Sequence, residues 1–138
     1  MNHLISAIAL GLSALPAVSD TLCDTLDALT SGQTMLLLPQ GEATCRPSLA
    51  MSGVRNMHCS LEFAYRAPAA TQTFNVLVDD LTACLGPDAT VVSDQSVNHP
   101  DSYDLSVFTH QGREYAVSVK DKGALQQTHV FVRIQLAP

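Results

Sequence analysis

Between His99 and Asp104 the chain places an imidazole, two carboxylates and a serine hydroxyl within one short segment, His99-Pro100-Asp101-Ser102-Tyr103-Asp104. Groups of this kind can transfer protons or attack an electrophile. The same residues also make a good turn, since proline fixes φ and Asp and Ser hydrogen-bond nearby backbone. No nucleophile elbow, zinc-protease helix, phosphate-binding loop or dinucleotide fingerprint accompanies them. A small hydrolase built on His99, Asp101 and Ser102 is therefore an alternative reading, with the turn as the simpler one.

Four cysteines, Cys23, Cys45, Cys59 and Cys84, carry the next possible chemistry. Their gaps of 22, 14 and 25 positions lack the close pairs of a structural zinc site. An even number in an exported chain reads as two disulfides. Length arithmetic selects a pairing. Cys59 to Tyr65 covers about 20 Å as a strand, and Thr71 to Cys84 about 20 Å as a helix. A helix doubling back over that strand brings Cys59 to Cys84, which leaves Cys23 for Cys45. Each bridge would contribute roughly 3 kcal/mol in the chain-entropy treatment. A redox-active pair would need an accessible thiolate, which core-facing cysteines do not supply.

The histidines His58, His99, His110 and His129 show no short metal-binding spacing. His110 and His129 could meet across neighbouring strands, but without an obvious third ligand. No metal or cofactor is expected.

Alternation along the last third gives the strongest hint of a binding surface. Leu105, Val107, Tyr115, Val117, Val119, Val130, Val132, Ile134 and Leu136 make one apolar face. Phe108, Ser118, Lys120, His129, Phe131, Arg133 and Gln135 fall on the other. Phe108, Lys120, His129, Phe131 and Arg133 are the candidate binding residues, because aromatics and Arg are enriched where proteins meet. Lys120-Asp121-Lys122-Gly123 reads as a basic, solvated turn.

The elements that must position these groups follow from periodicity. Leu22, Leu26 and Leu29 mark a helix over Asp20–Thr30. Met35–Leu38 reads as a strand, as does the alternating run Met57–Arg66, and a weak strand is expected near Leu49–Val54. Phe74, Leu77, Val78, Leu81, Cys84 and Leu85 repeat at helical spacing up to Gly86-Pro87. Thr90–Ser96 adds a further strand before a meander that turns at His110–Arg113 and again at Asp121–Gly123. The sum is an α+β domain: one antiparallel sheet of about five to seven strands, with two helices on one face and two disulfides.

The chain has 138 residues, 46% hydrophobic with no Trp, which is one domain with a core that gains from cross-links. Leu4 to Leu15 is an apolar run of about twelve residues, too short to span a bilayer of roughly 30 Å. With Ala17-Val18-Ser19 after it, the run reads as a signal peptide over residues 1–19, cleaved before Asp20, although no Lys or Arg precedes it. The single domain then covers 20–138, exported to the periplasm or secreted, without a membrane anchor. A net charge of −6 recruits neither nucleic acid nor an anionic membrane surface. The function expected is a non-catalytic accessory factor or inhibitor that binds a protein partner in the cell envelope. A carrier holding a small apolar ligand between the second helix and the sheet is the further alternative.

Overall fold

The computed structural model describes residues 18–38, 41–98 and 101–137. The signal peptide expected at the N-terminus therefore lies almost wholly outside the described residues, as do His99 and Pro100.

Among the described residues, two helices and seven strands follow in the order α1 (Val18–Thr30), β1 (Met35–Leu38), β2 (Gly41–Leu49), β3 (Arg55–Ala64), α2 (Pro68–Leu85), β4 (Thr90–Asn98), β5 (Asp101–His110), β6 (Arg113–Lys122) and β7 (Gln127–Gln135). A 3-10 turn, Gly123–Leu125, joins the last two strands. All strands pair antiparallel in one sheet, ordered β1-β2-β3-β7-β6-β5-β4. α2 carries the chain from β3 to the far edge, and the meander brings it back until β7 closes against β3. The expected α+β architecture is the one observed. The weak strand expected near Leu49–Val54 is instead the turn after β2, whose own span is Gly41–Leu49.

α2 forms where the sequence allows it to start and stop. Pro68 opens it with a φ already suited to a helix, and Gly86 closes it at φ +76°, a region that suits glycine. Between them Ala70, Phe74, Leu77 and Leu81 recur on one buried stripe. They pack on Met57, Val117, Val130, Val132 and Ile134, which project from β3, β6 and β7. Val130, Val132 and Ile134 are 0–1% exposed, each worth roughly 1.5–3 kcal/mol of transfer free energy. α1 lays Leu22, Leu26 and Leu29 into the same core and covers Leu36 and Ala43 of the β1–β2 hairpin.

The disulfides differ from the expected pairing. Cys45 and Cys59 are direct cross-strand partners in the β2–β3 ladder, with Cα atoms 4.0 Å apart. Cys23 of α1 meets Cys84 near the end of α2. The length argument placed Cys59 and Cys84 at one height but omitted β2, whose register sets Cys45 beside Cys59 before α2 is reached. One bridge therefore joins strand to strand and the other helix to helix.

Candidate functional site

The sheet has a covered face and an open one. α2 packs across β3, β7 and β6, and α1 packs on α2 and β1. Among the described residues no element lies over the opposite face. Parity along each strand decides which side chains reach it.

One turn sets that parity for a third of the sheet. His110 pairs with Arg113, leaving the two-residue loop Gln111-Gly112, with φ +49° and +73°. Both values are positive, as a tight hairpin turn requires. With two residues in the loop, Phe108 falls opposite Tyr115 and Val107 opposite Ala116. Tyr115 and Val117 face the helices, so Phe108 does too, and it is 0% exposed in the core. Leu105 and Val107 project from the open face instead. This corrects the sequence reading, which set Leu105 and Val107 with Tyr115 and Val117 and placed Phe108 in the binding patch. Phe108 is a core residue.

The other four candidates share the open face. Phe131 sits at its centre, opposite Ser60 on β3 and Ser118 on β6. The ring of His129 stacks on it at 5.5 Å between centroids, and His58 lies tilted against it at 5.1 Å. Lys120, opposite His129, reaches over the Tyr103 ring at 5.8 Å. Arg133 pairs with Glu114 and also donates to the Asn56 amide oxygen at 3.4 Å. Burial first, and then the Arg133 guanidinium beside it, hold the His58 imidazole below its ordinary pKa. Next to this group Leu105, Val107 and Val92 carry an apolar strip to the β4 edge, where Val92 is 67% exposed. Charged side chains thus border an aromatic and aliphatic strip that no described part of the chain covers.

His110 ends β5 beside Cys84 and Tyr115, on the helix side, while His129 is on the open face. They share no site. Among the described residues no three His, Cys, Asp or Glu side chains are grouped to hold a metal ion.

The His99–Asp104 segment is described in part. The Ser102 hydroxyl donates to Asp121 at 2.5 Å. Asp121 also accepts from Thr128 at 2.7 Å and from Arg66 at 3.2 Å, and is 8% exposed. It is not part of a solvated basic turn, because β6 runs on through Lys122. Burial raises its pKa, but the hydrogen bonds from Ser102 and Thr128 and the Arg66 charge and bond outweigh this and leave it lowered. A carboxylate held that way is a weak base, poorly suited to activating Ser102. Its evident work is to tie β5, β6, β7 and the β3–α2 turn together.

The carrier reading needs an apolar cavity under α2. That interface is filled by Phe74, Leu77 and Leu81. A concavity of about 340 Å3 at the start of α2 is lined by polar groups such as Arg66, Gln95 and Asp121.

No known protein family matches this chain, and neither a curated protein nor a solved structure matches it. Fold and surface define its class: a disulfide-linked α+β domain that shields one face of its sheet and leaves the other open. The sequence reading placed His58 outward without joining it to Phe131. It missed Tyr103, Leu105 and Val107 on this face, although the Gln111-Gly112 turn signal could have found them.

Proposed function

We propose that this protein is an exported, non-catalytic accessory factor that binds a protein partner through the open face of its sheet. One observation carries this reading. Both helices pack on one side, and the other side presents Phe131 and, across Ser118, the group Leu105, Val107 and Val92, with Arg133, Lys120 and His129 beside Phe131. Aromatic and aliphatic anchors beside Arg are the composition of protein-binding hot spots. Two disulfides support maturation in an oxidising compartment, and no helix among the described residues is long and apolar enough to cross a membrane.

Photoreactive residues placed at Val107 or Phe131 in the native host test the face. The expected result is one discrete cross-linked species from either position and none from Asp79, on the exposed side of α2. Adducts from Asp79 alone, or none from the sheet, would overturn the reading. Export is tested separately: protein recovered from the host should begin at Asp20, and an intact Met1 would contradict it.

A further inference from the structure

β4 is an outer strand of the sheet, and beyond its pairing with β5 it has no strand partner among the described residues. The ladder fixes which of its backbone groups are left over. Cys45 donates its N–H to Thr34, away from β3, and its Cα lies 4.0 Å from that of Cys59. That pair is therefore of the close, non-hydrogen-bonded type. The registers continue without a break, so the type alternates from strand to strand. Cys59 and Val132 exchange bonds, Val132 and Val117 do not, Val117 and Ser106 do, and Ser106 and Ser93 do not. Ser93 thus turns its N–H and C=O outward, and so do Val91 and Gln95, two positions to either side.

Sheet edges are ordinarily guarded by shortness, by Lys or Pro, or by a covering element. β1, at the other end of the sheet, has only four residues. β4 has nine, with no Lys, Arg or Pro and a single charge, Asp94. α2 packs over β3, β7 and β6, and α1 over α2 and β1, so neither helix packs along β4. Val91 is 48% exposed on the helix side and Val92 67% on the open side. The strand is bare at its edge and apolar on both faces.

We propose that β4 pairs antiparallel with β4 of a second copy, about a two-fold axis normal to the sheet, so that the two sheets become one. Such an axis sets residues of one face opposite residues of the same face, and charge then selects the register. Full overlap places Asp94 opposite Asp94, where like charges repel. Sliding by two residues places each carboxylate opposite Val92. Sliding by four places Val92 opposite Val92 and Asp94 opposite the Thr90 hydroxyl. Val91 and Ser93 then face each other across the join and exchange both backbone bonds. Sliding the other way carries Val92 to the strand end or beyond it. A foreign strand would need a cation to meet Asp94; a second copy needs none, because this register separates the two carboxylates. Ala116, Val107 and Val92, neighbours across β6, β5 and β4, continue into the same three residues of the second copy. Thr90 to Asp94 is a short interface, of the class that dissociates readily. The pairing does not depend on what the open face binds.

Sedimentation equilibrium of the intact protein, carried to millimolar concentration, tests the pairing. A monomer–dimer equilibrium is expected. Val92→Lys sets two cations face to face and should raise the dissociation constant at least tenfold. Ser93→Pro should do the same, since it removes an outward N–H that β5 does not use. Asp79→Lys, on the exposed side of α2, should leave the equilibrium unchanged. Mild oxidation reads the register. Val92→Cys should give a covalent dimer, because its twin stands at the same kind of position that joins Cys45 to Cys59. Asp94→Cys, whose twin lies at least about 13 Å away, should not. A protein that stays monomeric at millimolar concentration overturns the pairing, as does association indifferent to both Val92→Lys and Ser93→Pro. Covalent dimers from Asp94→Cys and none from Val92→Cys would overturn the register.

Discussion

Asp121 shows how a single buried charge can organise this fold. Its carboxylate accepts from Ser102, Thr128 and Arg66, groups distant in sequence. Its pKa is lowered in the folded protein. A lowered folded value means that the stabilisation is complete above the unfolded carboxylate pKa and is lost as pH falls through the folded one. Asp121→Asn should therefore cost about 1–3 kcal/mol near neutral pH. The gap from the unaltered protein should narrow as pH drops through about 3.9 and below. Urea midpoints over that range check this, and a gap independent of pH would show that shape, not charge, is what matters at this position.

At the scale of elements, the two disulfides should behave differently. Cys45 and Cys59 are 2% and 0% exposed, sealed within the β2–β3 ladder. Cys23 and Cys84 are half-buried and line a surface concavity with His110 and Arg113. Thiol–disulfide exchange needs access to sulfur, so a mild dithiol should open Cys23–Cys84 first. Alkylation followed by peptide mass analysis would show the order; simultaneous opening would contradict it. The bridges also close loops of different length, with separations of 61 and 14 residues. The chain-entropy treatment then gives about 4 kcal/mol for the helix pair and about 3 for the strand pair. Replacing Cys23 and Cys84 together by Ala should lower the urea midpoint more than replacing Cys45 and Cys59.

Elements were legible in the sequence where local period and punctuation agreed. α2, β3 and β7 have clean apolar spacing and clear ends, and their faces follow from it. Pairings were less legible, because they depend on register between segments. The cysteine partners turned on β2, whose Gly41–Leu49 run shows little alternation, with only Ala43 and Cys45 buried among its residues. The β5 face turned on the count of residues in one loop. Lys120, His129, Phe131 and Arg133 were found because β7 and β6 alternate without a break. His58 was not joined to Phe131, because their contact depends on the register between β3 and β7, which no single segment encodes.

Over the whole molecule, charge is divided between the layers. α1 and α2 carry acids and no Lys or Arg, whereas Arg46, Lys120, Lys122 and Arg133 all lie on the open face. Four of the seven Lys and Arg residues thus lie on that face, while Arg66 and Arg113 stand on the helix side. The sheet edges are unequal as well: β1 has four residues, while β4 has nine and exposes Val91 at 48% and Val92 at 67%. A long edge without Lys or Pro invites pairing between copies. Val92→Lys should raise the concentration at which self-association appears in sedimentation. An unchanged threshold would show that β4 does not limit solubility.

The Gln111-Gly112 hairpin makes this molecule sensitive to length rather than to composition. One extra residue there would shift β5 by a single position against β6 and rotate the outer two strands through half a turn. Phe108 would be driven into water, and Val107 would take its place beneath the helices. A substitution on those strands changes one side chain, whereas a residue added or removed at that bend would exchange the faces of all of them at once.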